Sequence, residues 1–463
     1  MYFEQFYLGC LAHASYMIGS DGEALVVDPQ RDVEIYLQAA VEHGVKIRHI
    51  FETHLHADFV SGHRELAART GAQMYIGAQA GATFPHVPVR DGFKLQMGHC
   101  TVLVRETPGH TPESVCFVIT DNEKSTVPWG VLTGDTLFIG DVGRPDLSKT
   151  HTPEQLAGLM YDSLHEKLLT LPDDVLVYPA HGAGSLCGRN MRAERSSTIR
   201  TERLTNYALQ IKTREEFVRQ MTANLPTRPE YFLQDAEINR GGAVALAELP
   251  ELPALSAARL KTLIHEGVPA VDVRPPEDFA KGHVPGSINI GLSGQFASWA
   301  GSLLGLRSEP VLIADSKEKV EEARLRLARV GIEKLGGYLQ DGIEGWQRAG
   351  LPIAQLKQVS AEALSTTLIK NVRLLDVRRQ GEWETGHIEQ AELWPLDRFK
   401  DALPEGAKDS PVAVHCKSGY RSTIASSLLM RAGFTNVINV EGGFDAWEKA
   451  KLPVATQAEM SAH

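Results

Sequence analysis

Cysteine is scarce in this chain of 463 residues: there are five, Cys10, Cys100, Cys116, Cys187 and Cys416. So sparse and odd a set excludes a disulfide framework and points to a reducing compartment, with the cytoplasm as the expected location. Long apolar runs are missing too. No stretch reaches the roughly 18 apolar residues of a membrane-spanning helix, so no membrane partner is expected. The first residues, Met1-Tyr-Phe-Glu-Gln-Phe-Tyr7, lack the basic and apolar regions of a secretory leader, so none is expected. There is no long basic run either: 47 Lys and Arg stand against 58 Asp and Glu, a formal charge of −11. That balance argues against nucleic acid as a partner and serves mainly solubility. What remains, 43% hydrophobic and 23% charged residues, is ordinary for a globular protein. The length suits roughly three domains of about 150 residues each.

The second half of the chain repeats itself. Ala270-Val-Asp-Val-Arg274 with Gly282-His-Val284 aligns with Leu374-Leu-Asp-Val-Arg378 with Gly386-His-Ile388. Pro310-Val-Leu-Ile-Ala-Asp315 aligns with Pro411-Val-Ala-Val-His-Cys416, and the stretch ending at Trp346 aligns with the one ending at Trp447. The copies are too long for a solenoid, whose period is about 20 to 50 residues, and fit two domains, 255–355 and 358–456. Each alternates short apolar strands (Val311–Ala314, Val412–His415) with a loop and a helical pattern (Glu318–Val330, Thr423–Ala432), which predicts parallel sheets flanked by helices. The first half, 1–245, has no such repeat. It reads as strands at 6–11, 15–18 and 24–28, a helix at 33–43, then a strand at 47–51 and further strands at 101–107, 115–120, 130–133 and 174–178. A Pro- and Gly-containing linker is expected across Pro226–Pro253, and a second one at Lys357–Ser360.

Four pieces of that first half each place a His or Asp just after a predicted strand: Thr53-His-Leu-His-Ala-Asp58, Thr107-Pro-Gly-His110, Leu132-Thr-Gly-Asp135 and Tyr178-Pro-Ala-His181. One strand-end histidine is ordinarily a structural or surface residue. Four pieces in this order, with glycines that let the backbone turn beside the ligands, form a metal site.

These motifs resemble the metallo-β-lactamase superfamily over about residues 1–240, which implies an αββα sandwich with the metal at one edge of its two sheets. In dinuclear members the resemblance implies His54, His56 and His110 at one site, Asp135 as bridge, and Asp58, the next residue and His181 at the other. Here that next residue is Phe59, which cannot ligate. The persulfide dioxygenases of the superfamily are similar in another way: their iron ligands map onto His54, His110 and Asp135, which the resemblance implies are a two-His, one-carboxylate set with open positions, suited to a non-haem Fe(II). His56, Asp58 and His181 then become residues that orient the ligands and tune the ion. The segment Gly143-Arg-Pro-Asp146 and the loop Pro179–Gly188 resemble the same enzymes, which suggests Arg144 as a bidentate partner of a substrate carboxylate and Cys187 as a sulfur acceptor near the metal.

A second centre is legible at His415-Cys-Lys-Ser-Gly-Tyr-Arg-Ser422, between a strand and a helix. The N–H groups of such a loop and the positive end of the helix stabilise a thiolate, so Cys416 is a candidate nucleophile, with Arg421 and Lys417 to hold sulfite or thiosulfate. An arginine shortly after a cysteine also occurs in protein tyrosine phosphatases. The surrounding motifs, over about residues 358–456, instead resemble a rhodanese. The other copy has Asp315 at the cysteine position and no counterpart of Arg421, so 255–355 is expected to be an inert rhodanese-like scaffold.

Over nearly its whole length the chain resembles bacterial fusions of a persulfide dioxygenase with rhodanese domains. The resemblance implies one Fe(II) per chain, a low-molecular-weight persulfide (of glutathione, coenzyme A or another thiol) and O2 as substrates, sulfite and thiosulfate as products, and a homo-oligomer. Two alternatives stand beside it: a zinc-dependent glyoxalase II-type thioester hydrolase, and a non-enzymatic persulfide carrier or sensor.

Overall fold

The computed structural model describes residues 1–223, 225 and 227–456, the side chain of Leu368 excepted; Pro226, the first residue of the expected linker, lies outside the described residues. The chain divides into two compact units, Met1–Leu249 with Ala328–Gly331, and Pro250–Leu327 with Ile332–His463.

The first unit is an αββα sandwich. One six-stranded sheet runs in chain order through Tyr2–Leu8, His13–Ser20, Glu23–Val27, Lys46–Phe51, Gln73–Gly77 and Val87–Val89. The other contains Lys94–Met97, Cys100–Glu106, Val115–Asp121, Gly130–Gly134, Leu176–Pro179 and Ser197–Thr198. Period-two alternation explains the layers. Leu25, Val27 and Phe51 of the first sheet meet Val102, Phe117 and Leu132 of the second, forming the core between the sheets. Their neighbours Ala24, Val26 and Ile50 point the other way, onto Tyr36 and Ala39 of the helix Glu34–Glu42. Val118, Val131 and Val177 likewise turn outward, onto Ala157 and Met160 of the helix Pro153–Ser163. Central strands are therefore buried on both faces, which is why they read as near-continuous apolar runs. Truncating Phe51 or Phe117 to alanine would cost about 3–5 kcal/mol.

The segment expected to be a linker is structured instead. Tyr231–Gly241 is a helix with Tyr231, Phe232, Asp235 and Asn239 buried. Its few prolines and its glycine pair dominated the sequence reading, but the spacing 231, 232, 235, 239 is a helical stripe. Lys357–Val359, the second expected linker, is likewise a strand, paired in parallel with Val437–Val440.

The second unit holds two five-stranded parallel sheets of identical topology. The order is Ala254–Leu255, Gly337–Leu339, Val311–Ile313, Ala270–Asp272, Ile288–Asn289 in one, and Lys357–Val359, Val437–Val440, Val412–His415, Arg373–Asp376, Ala391–Leu393 in the other. The repeated motifs turn out to be structural. Arg274 and Arg378 each clip onto the buried Asp272 and Asp376, both at 2.7 Å, and onto the carbonyls of Gly282 and Gly386. His283 and His387 stack on Phe279 and Trp383 with ring centroids 3.8 Å apart. The indoles of Trp346 and Trp447 donate to the carbonyls of Pro352 and Pro453. These contacts hold the fold rather than a substrate, so they persist in the copy whose nucleophile position is Asp315. Among the described residues, no helix is long and apolar enough to cross a membrane.

Candidate metal centre and cysteine loop

The strand Lys46–Phe51 ends at Glu52, and residues 51–63 are all buried. A buried loop must satisfy its polar groups internally. Asp28 does much of this work: its carboxylate accepts the Thr53 N–H at 2.7 Å and the Thr53 hydroxyl at 2.9 Å. With its proton on Asp28, the Thr53 oxygen is left to accept from Nδ1 of His54 at 3.0 Å. Nδ1 of His110 faces the carbonyl of Arg144 at 2.9 Å. Both rings thus spend Nδ1 on the protein and turn Nε2 inward. Asp135 does the same with its oxygens: Oδ1 meets Nδ1 of His181 at 2.7 Å and Oδ2 is turned to the histidines. Oδ2 lies 3.3 Å from Nε2 of His110 and 3.9 Å from Nε2 of His54. All three inward atoms are buried and have no hydrogen-bond partner.

Three orphaned donors at one point are costly unless something binds them. Ligands about 2.0–2.2 Å from a common ion sit about 3–3.5 Å apart; the His110–Asp135 spacing of 3.3 Å meets this, and the His54–Asp135 spacing of 3.9 Å is a few tenths of an ångström wider. Burial lowers the basicity of His54 and His110, leaving them neutral as ligands must be. Burial pushes the Asp135 carboxyl up, but the three imidazoles outweigh it and hold it well below the usual range. Gly134, with φ +53, brings the strand end close: a Cβ there would sit 2.6 Å from the Thr53 hydroxyl.

His56, Asp58 and His181 also offer atoms within 4.8 Å of one another, and Nδ1 and Nε2 of His56, Oδ1 of Asp58 and Nε2 of His181 likewise lack a hydrogen-bond partner, but here each imidazole faces a carboxylate outside the first set. His181 is strung between two carboxylates, Asp135 at 2.7 Å and Asp58 at 2.9 Å. Burial opposes a charge on its ring, yet these two carboxylates raise its pKa well above the ordinary value. Nε2 of His56 turns to Asp28 at 3.2 Å and Glu52 at 3.4 Å. The fully buried Phe59 ring packs 4.4 Å from that of His56.

Cys187 comes to the same place, its sulfur within 4.8 Å of donor atoms of Asp135 and His181. Burial and the nearby carboxylates push its thiol up, so it is held protonated. Arg144 is already engaged within the protein. It is buried, its fork is closed on Asp146 at 2.6 and 2.8 Å, and Nη1 donates to the carbonyl of Leu186. These contacts tie it to the loop ahead of Cys187 and place Asp146 on the fork that the expected substrate carboxylate would meet.

Sequence reasoning missed the residues that support this edge. His63 meets Glu52 at 3.1 Å, and Glu52 also accepts from Ser61. His13 is buried with both nitrogens unpartnered, its ring 4.1 Å from that of Phe59. Asn239, inside the segment read as a linker, donates to the carbonyls of His56 (2.7 Å) and Phe59 (2.8 Å) and accepts from the Ser61 N–H. Only the helical stripe around Asn239 could have disclosed it. Asn239→Ala strands these backbone groups, so the first unit should lose about 2–4 kcal/mol in denaturant unfolding; an unchanged midpoint would contradict this role.

The cysteine loop leaves the strand Val412–His415 at the end of a parallel sheet where strand order reverses, the usual crevice of such sheets. The Gly419 N–H donates to Sγ of Cys416 at 3.1 Å, with Gly419 at φ +108 just before the helix Tyr420–Arg431. The carbonyls of Cys416 and Lys417 accept from the N–H groups of Phe444 and Asp445, so the loop rests on the next helix, Gly443–Lys449. The guanidinium of Arg421 is engaged by Glu382 at 2.6 and 2.7 Å. Burial pushes the Glu382 carboxyl up, but Arg421 outweighs it and holds it down to about 2. Lys417 is exposed at the rim. In the other copy Asp315 is more than half exposed, 3.9 Å from Arg274.

Comparison with known proteins agrees with this geometry. The metallo-beta-lactamase superfamily model matches residues 8–181, and the rhodanese-like domain model matches 256–349 and 360–450. The solved metallo-beta-lactamase from Staphylococcus aureus subsp. aureus COL is 34% identical, with a TM-score of 0.66, over 73% of this chain and 98% of that one. These define a metallo-β-lactamase-fold protein carrying two rhodanese-like domains. The mitochondrial persulfide dioxygenase ETHE1 of Bos taurus is 34% identical over 46% of this chain and 77% of its own length. A hydroxyacylglutathione hydrolase of Francisella tularensis subsp. novicida is 28% identical over 37% of this chain and 63% of its own length. The chain belongs to the family of metallo-β-lactamase-fold persulfide dioxygenases, in the form fused to rhodanese-like domains.

Proposed function

We propose that the chain is a persulfide dioxygenase coupled to a sulfurtransferase, with residues 1–245 oxidising a low-molecular-weight persulfide and residues 358–456 transferring sulfane sulfur to the sulfite formed. Residues 255–355 are an inert copy. The observation that carries the reading is the meeting of three buried, unpartnered donor atoms from His54, His110 and Asp135 in a chain of this family. One iron(II) held there would supply the redox chemistry for RSSH + O2 + H2O → RSH + SO3²⁻ + 2 H⁺, the last two products being sulfite and its released protons.

The protein's own contributions follow from its contacts. Thr53 and the Arg144 carbonyl fix the two imidazoles with Nε2 inward. His181 keeps Asp135 ionised and oriented from outside. At the second centre, Cys416 as thiolate attacks the sulfane sulfur of a second persulfide; the S–S bond breaks and RS⁻ leaves. Sulfite then attacks the outer sulfur of the enzyme persulfide, releasing thiosulfate and restoring the thiolate. The five free cysteines suit the cytoplasm.

Protein loaded with iron(II) under anaerobic conditions should take up one O2 per sulfite formed when glutathione persulfide or coenzyme A persulfide is added, with one iron bound per chain. No uptake with either persulfide sinks the reading. The hydrolase relative favours a second reading, a zinc thioester hydrolase. Phe59 and the two-carboxylate clasp on His181 weigh against the second metal that chemistry uses. Hydrolysis of S-lactoylglutathione by zinc-loaded protein without oxygen uptake would establish it instead. A protein that loads sulfur on Cys416 once, without turnover, would be a carrier.

A further inference from the structure

The rhodanese-like copy with Asp315 makes no contribution to chemistry in the reading above, yet it grips the helix that presents Arg421. Along Tyr420–Arg431, residues 420, 427 and 431 share one face. Each is hydrogen-bonded to backbone of the other copy. The Tyr420 hydroxyl donates to the Gly291 carbonyl at 2.7 Å. The Ser427 hydroxyl accepts from the Asn289 N–H at 3.0 Å. Arg431 donates to the carbonyls of Gly286 and Gly267, both at 2.8 Å.

The contact at Tyr420 differs from the other two because of where it falls. Tyr420 is the first residue of the helix and lies inside the loop, between Gly419, whose N–H meets Sγ of Cys416, and Arg421, which is fixed by Glu382. Its partner is held in turn. Arg326, on the helix Lys317–Ala328 that follows Asp315, donates to the carbonyls of Leu292 and Gly294 and lies over the Phe296 ring. Gly294, at φ +70, leaves room beside the tyrosine: a Cβ there would lie 3.5 Å from the Tyr420 ring. A continuous chain of contacts therefore runs from Arg326 through the turn 291–294 to Tyr420 and the start of the cysteine loop.

We propose that Tyr420 is a positioning residue for sulfur transfer, and that the copy lacking the nucleophile exists in part to hold it, fixing the N–H cradle that receives the anionic sulfur substrate at Cys416. This rests on the sulfurtransferase reading of Cys416. Tyr420→Phe in the full-length protein keeps the ring and deletes one hydrogen bond. The thiosulfate KM for sulfur transfer to cyanide should rise about fivefold with kcat within twofold, because the cradle binds the anion and Cys416 itself is untouched. Ser427→Ala, which deletes a bond of the same helix face far from the loop, should leave both constants unchanged. Unchanged KM in Tyr420→Phe, or the same KM rise in Ser427→Ala, would overturn the proposal. If the wild-type protein transfers no sulfur, the activity reading fails but the positioning is still tested by thiosulfate protection of Cys416 from iodoacetamide. The half-protecting concentration should rise about fivefold in Tyr420→Phe, and no change would refute the role.

Discussion

Cys416→Ser abolishes sulfur transfer, by about a thousandfold or more, and leaves oxygen uptake with glutathione persulfide within twofold of the unaltered protein. The magnitude follows from covalent catalysis. A serine hydroxyl cannot hold a sulfane sulfur, and removing the nucleophile of a two-step transfer leaves only substrate binding behind. The selectivity follows from the chain: Cys416 lies in the second unit, whereas His54, His110 and Asp135 all lie in the first. Products give a sharper readout than rate. With persulfide in excess, the unaltered protein should accumulate thiosulfate and the variant sulfite. Thiosulfate formation by the variant at an unchanged, enzyme-dependent rate would remove Cys416 from the mechanism. Glu382→Gln is the graded companion, since it frees a guanidinium now engaged at 2.6 and 2.7 Å without touching the thiol.

The two centres were legible to different depths, for physical reasons. A chain must turn at its strand ends, and strands that run the same way end at the same edge: Lys46–Phe51 of one sheet and Cys100–Glu106 and Gly130–Gly134 of the other, the last two each antiparallel to Val115–Asp121 between them, bring their following residues together. That made the convergence of the four strand-end pieces an expectation without coordinates, while the choice of His54, His110 and Asp135 among them came from the family resemblance. The repeat was legible because its matched residues, from Asp272 and Arg274 to Trp346, each make a contact within their own copy. Partners brought in from distant segments were not legible. Glu382 reaches Arg421 across 39 positions and Asn239 reaches the metal loop across about 180, and nothing local marks either. The carboxylate partners of the two arginines were illegible for the same reason. Arg144 and Arg421 each carry the planar fork that suits an anionic substrate, but each has a carboxylate of its own, Asp146 and Glu382. The helix Tyr231–Gly241 was missed because glycine and proline were weighed above periodicity.

Asp135→Asn is the substitution that most directly tests a one-iron site. It preserves the volume and removes the only carboxylate of the three-residue set, so the bound ion loses its anionic ligand. It also removes the charge that sustains the clasp on His181, whose ring is 2.7 Å away. Loss of a supporting residue outside the ligand set ordinarily costs 10- to 100-fold in metal affinity or activity. Loss of the ligand itself should exceed that, leaving under about a tenth of the iron and oxygen uptake reduced by about a thousandfold. His56→Ala separates one metal from two. His56 Nε2 faces Asp28 and Glu52 rather than Asp135, so in a one-iron site the variant should keep most of its iron and lose only 10- to 100-fold in activity. In a two-metal hydrolase site His56 is itself a ligand, and the same change would strip metal as thoroughly as Asp135→Asn. Metal analysis of the two variants beside His54→Ala decides this, and sulfur transfer at Cys416 reports on whether the second unit of each remains folded.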